Sequence, residues 1–309
     1  MSVPESYFDY PNRREGVDHD RFAFRSLRDA PPVQWSHGGK LALWVTLHLE
    51  HFPLNMPGKP LLPIGGFDRP GVSVWDYTER DYGNRVGIFR LMRLLDRHGI
   101  TPTVAMNAAV AERCPPLMEA MLERGWEIAA SGVDMGHLHH GEIPPEEEAR
   151  LVAESFATLR RISGQAVTGW HSPAHSQSPR TADLVAAEGG QWIADWINDD
   201  MPYRFRTDAG SLVQMPLSYD LSDRKVMQLQ AQPAAIWSGQ VEAARDLLLS
   251  ETATYGGRIL SLSLSPWVAG RPAKIATLDR LFSSLLSDSE VKPATGGALA
   301  ADWAAQVPA

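Results

Sequence analysis

The sequence predicts an α/β fold, a single closed or nearly closed barrel of parallel βα units, and three observations carry that expectation. Short apolar runs of strand length alternate with helical patterns at least six times along the chain. No interruption in that alternation marks a second domain within the 309 residues, a length able to bury one large core. The first apolar run, Lys40 to Leu49, has few polar breaks, as expected of a strand covered on both faces.

Residues 1–37 mix both charge signs with prolines and read as an irregular arm. The strand at Lys40 to Leu49 delivers Glu50 and His51 to its carboxyl end, and residues 52–80, rich in proline and glycine, read as a long loop of functional or interface character. Asn84 to His98 places Val86, Ile88, Phe89, Leu91, Leu94 and Leu95 at helical spacing, and Gly99 closes it. A strand at Thr103 to Asn107, a helix at Pro115 to Arg124 and a strand at Trp126 to Ala130 follow. Pro144 to Ile162 is an amphipathic helix stopped by Gly164. Its Glu146, Glu147 and Glu148 read as a solvated first turn favoured by the helix dipole. Then come strands at Ala166 to Trp170, Gln191 to Trp196, Leu212 to Leu217 and Arg258 to Ser265, and a short one near Val291. Helices at Pro179 to Glu188, Ala234 to Ser250 and Ala273 to Leu286 separate them.

Composition removes several function classes. A formal net charge of -8 argues against a surface that coats phosphates, so no nucleic-acid partner is expected. A single cysteine, Cys114, excludes an internal disulfide and a CxxC metal knuckle. Gly65-Gly66 and Gly256-Gly257 lack the strand-GxGxxG-helix setting of a dinucleotide site. The opening MSVPESYFDYPNRREG has no basic end followed by an apolar core, and no apolar run is long enough for a bilayer. The expectation is a soluble cytoplasmic protein without a membrane partner, acting on a small molecule.

In a βα barrel the chemistry sits at the carboxyl ends of the strands. Those ends carry Glu50 and His51, Asn107, Ser131, His171 with His175, Asp195 with Asp199 and Asp200, and Ser265. The stretch Trp126 to Gly141 adds His137, His139 and His140 in one loop, where packing gives no reason for three imidazoles to gather. So many polar strand ends aimed at one rim point to a site.

Residues 18–21 (DHDR), LALWVTLHLEHF at 41–52, DYGNRVG at 81–87, WEIAASG at 126–132, GWHSP at 169–173, DWINDDMPY at 195–203 and LSLSPWVAGRP at 262–272 follow one another in a familiar order. Nearly the whole chain resembles the polysaccharide deacetylase (NodB-like) superfamily of carbohydrate esterases. The closer likeness is to its allantoinase-like and cyclic-imide-hydrolase-like branch. That resemblance implies a distorted (β/α) barrel of about seven parallel strands, one polysaccharide-deacetylase-like domain over 1–309, and a homo-oligomer, dimer or tetramer.

The family's first strand ends in two carboxylates, one a base and one a metal ligand, where this chain has Glu50 and His51. A ligand histidine and a late-strand catalytic histidine correspond to Ser131 and Ser265. A serine hydroxyl is a poor zinc ligand beside imidazole, so the expectation is no cofactor; the alternative is zinc at a rearranged site of Glu50, His51, His171 and His175. The resemblance implies a hydrolase of non-peptide C–N bonds in a small amide, imide or ureide. Alternatives are a lyase or isomerase working by acid-base chemistry on the same barrel, and a non-catalytic ligand-binding homologue.

A hydrolase needs a base, an acid and donors for the developing oxyanion. Glu50 is the candidate base, as a carboxylate at a buried strand end, and His171 or His137 the candidate acid. Ser131, Ser265 and Asn107 are candidate hydrogen-bonding groups at the carbonyl, and Asp199 is placed to orient a histidine or to organise a turn. His51, His137, His139 and His175 are candidate substrate contacts, Trp170 and Trp267 a candidate aromatic floor, and Arg271 a candidate carboxylate clamp.

Overall fold

The computed structural model describes residues 19–56 and 72–307. Nine strands in these residues form one sheet: β1 Leu41–Leu49, β2 Thr103–Met106, β3 Glu127–Ala130, β4 Gly169–Trp170, β5 Trp192–Ile193, β6 Tyr203–Thr207, β7 Gly210–Gln214, β8 Arg258–Leu264 and β9 Val291–Pro293. The order is β6-β7-β5-β4-β3-β2-β1-β8, with β9 also on β1. Every pairing is parallel except the hairpin of β6 and β7, so seven strands from β7 to β8 form the parallel wall. No ladder joins β6 to β8 among the described residues. The sheet is therefore a half-barrel with flanking helices, a distorted version of the expected barrel.

Strand alternation sorts the core into two layers. Leu41, Leu43, Val45, Leu47 and Leu49 of β1 pack outward with Leu260, Leu262 and Leu264 of β8 and with helix residues such as Leu91 and Leu278. Ala42 and Trp44 face the other way and pack with Trp192, Ile259, Leu299 and Trp303. The last two belong to α10 (Gly296–Gln306), in the numbering α1 Val74–Tyr82, α2 Ile88–His98, α3 Ala108–Arg113, α4 Pro115–Leu122, α5 Pro145–Ser163, α6 Thr181–Ala187, α7 Ala234–Tyr255, α8 Pro266–Ala269 and α9 Pro272–Leu286. The inner face of β1 thus runs Ala42, Trp44, Thr46, His48, Glu50, apolar at one end and polar at the other.

Several expectations need correction. Of the expected 52–80 loop, 57–71 fall outside the described residues, and helix begins at Val74 and continues through a π-turn at Gly83–Gly87 into α2. Glycine is required in that turn, since a Cβ on Gly87 would lie 2.1 Å from the Pro266 carbonyl oxygen. Glu148 is not solvated: its side chain is 0% exposed. Strand β6 and helix α10 had no clear signature in the sequence, β6 because it is an edge strand and α10 because alanine dilutes its periodicity.

Candidate functional site

Glu50 follows β1 directly and is buried. Its backbone carbonyl accepts from Asn84 Nδ2 at 2.9 Å, so the π-turn of the DYGNRVG stretch braces the residue. Its carboxylate oxygen Oε2 accepts a short charge-assisted bond from Arg224 Nη2, while Oε1 takes no hydrogen bond from the described residues. Arg224 opens a second π-turn, Arg224–Leu229, and the same Nη2 donates to Ser265 Oγ at 3.3 Å. Next to it Asp223 is fully buried and accepts from the Ser265 backbone N–H at 2.9 Å. Burial pushes the Asp223 carboxyl up to about 7 although that hydrogen bond opposes it.

Three imidazoles stand beside this pair. The His48 ring centroid lies 5.6 Å from that of His171 and 5.8 Å from that of His175. Burial lowers all three, His48 and His171 well below the ordinary value and His175 to about 4, and the cation Arg224 adds to the effect on His48 and His175. Both nitrogens of His171, Nε2 of His48 and Nδ1 of His175 are buried without a partner. Ala174 and His175 adopt positive φ of 54° and 56°, a strained backbone of the kind found where a side chain must be aimed.

Expected site residues divide sharply. Glu50, Ser265, His171 and His175 share the rim, with Trp267 beside Arg224 at 5.5 Å from ring centroid to guanidinium carbon. Ser131 is buried at the end of β3, its carbonyl accepting from Asn107 Nδ2. Asn107 Oδ1 accepts from His51 N at 2.8 Å, so Asn107 ties strand ends together through both ends of its amide. His51 turns away to a cavity of about 390 Å³ that it lines with Tyr77, Asp81, Asn84, Arg113 and Cys114.

The histidine-rich loop does not act as a unit. His137 is exposed and pairs with Asp134 at 2.7 Å, while His139 is buried against Glu148 at 3.4 Å. His140 is exposed. Trp170 is fully buried, stacked on Phe156 with its N–H on Ser172 Oγ, and is core rather than floor. Asp199 pairs with Arg25 at 3.3 Å and accepts from Met201 N; it organises a turn and holds no histidine. Arg271 donates to the Trp267 carbonyl at 3.0 Å and lies 4.1 Å over Tyr82, a structural tie.

His48, Asp223 and Arg224 were missed. His48 was legible, because it lies two residues before Glu50 in a strand and so on the same face. Asp223 and Arg224 lie outside any strand end, and nothing in the sequence brings them to β1.

A divalent metal is implied by the likeness to the deacetylases, and the residues present do not fit it. Ser131 offers a hydroxyl, a poor ligand for zinc, the rearranged set of Glu50, His51, His171 and His175 is divided between rim and lateral cavity, and Arg224 occupies the Glu50 carboxylate. Among the described residues no group of three or more His, Cys, Asp or Glu side chains is spaced to hold a metal ion.

Residues 80–191 match the family model described as polysaccharide deacetylase. The fold is similar to a structure titled "probable Polysaccharide deacetylase from Pseudomonas aeruginosa PAO1", with TM-score 0.83 and 25% identity over 92% of this chain and 99% of that one. It is similar to a structure titled Puue Allantoinase, with TM-score 0.83 and 24% identity over 95% of this chain and 100% of that one. A Schizosaccharomyces pombe protein named "Putative polysaccharide deacetylase" is 24% identical over 250 residues, 74% of this chain and 76% of the relative. The described helices include none long and apolar enough to cross a membrane. Residues 80–191 thus carry a match to the polysaccharide deacetylase domain, and the whole chain shares the fold of these solved structures.

Proposed function

We propose that this protein hydrolyses a non-peptide C–N bond in a small amide, imide or ureide, with Glu50 as general base. One observation carries the reading: a buried carboxylate fixed through Oε2 by Arg224 while Oε1 remains unengaged. A water on Oε1 gives its proton to Glu50 as its oxygen bonds to the carbonyl carbon. The C–N bond then breaks, and Glu50 returns the proton to the leaving nitrogen, so atoms and charge balance.

The histidines act differently from the imidazolium acid expected of His171. With burial holding His175 at about 4 and His171 well below the ordinary imidazole value, both are neutral at pH 7 and serve as N–H donors to the carbonyl oxygen. Ser265 Oγ lies on the same Arg224 nitrogen and adds a hydroxyl to that side. The likeness to structures named for polysaccharide deacetylation and allantoinase supports a hydrolase of this kind. In this reading 1–309 form one domain that works in the cytoplasm as a homo-oligomer.

Succinimide and hydantoin incubated with the protein in deuterated ¹⁸O-water test the reaction. Ring-opened product carrying one ¹⁸O in the new carboxylate is the expected result. Exchange of substrate hydrogen for deuterium without oxygen incorporation would show proton shuffling instead, and no reaction with either ring would remove the cyclic-substrate reading.

A further inference from the structure

Two buried donors beside Glu50 have no acceptor among the described residues. Arg224 has a side chain 12% exposed and uses only Nη2, for Glu50 and Ser265. Its Nε is buried without a partner, and so is the indole Nε1 of Trp267, itself 6% exposed. The guanidinium carbon of Arg224 lies 5.5 Å from the Trp267 ring centroid, so the two side chains are neighbours. Both side chains can donate and neither can accept, and a buried N–H without an acceptor is a costly arrangement that a ligand oxygen relieves.

Charge around Trp267 favours an anionic oxygen. Arg80 lies on the same ring at 5.5 Å and pairs with Asp76 at 3.6 Å, which leaves Arg224 to Glu50 and Asp223. Asp223 also faces the Lys274 ammonium, and burial drives its carboxyl towards the neutral form near pH 7. Four cations, Arg224, Arg80, Lys274 and Arg271, and the carboxylates Glu50, Asp76, Glu79 and a partly protonated Asp223 therefore gather around this place. A planar guanidinium with free N–H groups suits a carboxylate better than a lone carbonyl.

We infer that Arg224 Nε and Trp267 Nε1 form a carboxylate-binding subsite beside Glu50, so that the ligands of this protein are small amides or ureides that themselves carry a carboxylate. The inference rests on the hydrolase reading for its amide, but binding tests it without turnover. Calorimetric titration with N-acetylglycine and its neutral isostere N-acetylglycinamide reads the subsite directly. The acid binds the wild-type protein at least about tenfold more tightly than the amide, and R224Q abolishes that preference. R224K keeps part of it, and W267F, which retains a ring and removes the N–H, weakens the acid several-fold.

E50Q provides an opposite sign: with the competing carboxylate neutralised, N-acetylglycine binds more tightly while hydrolysis is lost. A fold defect from R224Q leaves the W267F and E50Q arms decisive. Equal binding of acid and amide, binding of neither, or a preference unchanged in W267F and weakened in E50Q overturns the subsite. Retained preference with no turnover of any amide would sink the hydrolase reading alone.

Discussion

Glu148 and Glu50 are both buried glutamates, and the protein treats them in opposite ways. Glu148 accepts from Ser178 Oγ at 2.7 Å, Thr181 Oγ1 at 2.6 Å, Arg180 Nη2 at 3.2 Å and His139 Nδ1 at 3.4 Å. Burial alone would raise its pKa, but those hydrogen bonds outweigh burial and hold it at about 2. It clamps the histidine-rich loop and the 176–181 segment onto the start of α5, and every lone pair is used. Glu50 has one ion pair, one free oxygen and unpartnered histidines around it. Full satisfaction stabilises a carboxylate and removes it from chemistry; partial satisfaction leaves it reactive.

The contrast can be broken from either side. The largest effect is expected from E50Q, which should reduce turnover by about 10³-fold, within the range for losing a positioned base, beyond whatever stability is lost when the Arg224 charge is left unpaired. Product chromatography on succinimide or hydantoin reads it. E148A should leave chemistry to whatever protein folds and cost about 3 to 5 kcal/mol in urea denaturation, since it strands His139 and Arg180. Stability that tolerates E148A would show that the four hydrogen bonds add little beyond replacing water.

A smaller, pH-dependent effect belongs to Asp223. Its folded pKa of about 7 lies above the ordinary 3.8, so its contribution is fully present below about pH 4 and lost as pH rises through 7. Asp195, at about 6 for the same reason, adds a loss of the same sign. D223N keeps an acceptor for Ser265 N–H and should flatten part of the fall in melting temperature between pH 4 and 7. A melting profile identical to wild type would place the titration elsewhere. The smallest effect is expected from R271A: loss of its tie to the Trp267 carbonyl costs about 1 kcal/mol and leaves the preference for N-acetylglycine intact, in contrast to R224Q.

Legibility followed sequence distance. β1, α2, α5 and β8 were readable because their periodicity is local, and Glu50 and Ser265 were readable because each ends a long apolar strand. The misreadings share a cause. Glu146, Glu147 and Glu148 are chemically identical in sequence, yet only Glu148 points under the loop; Arg271 and Arg224 are both arginines at turns, yet only Arg224 reaches Glu50, 174 residues away. His137, His139 and His140 cluster in the chain and diverge in space, while His48, His171 and His175 do the reverse.

The sequence by itself determined the alternation of strand and helix, the face of β1 that carries His48 and Glu50, and the hydroxyls of Ser131 and Ser265 at two strand ends. Those properties depend on residue type and on spacings of two or four positions. Only the tertiary structure decided which carboxylate is satisfied, which guanidinium faces it and which imidazoles stay neutral. Each of those depends on burial and on partners brought together across the curl of the sheet, and neither quantity is encoded in local spacing.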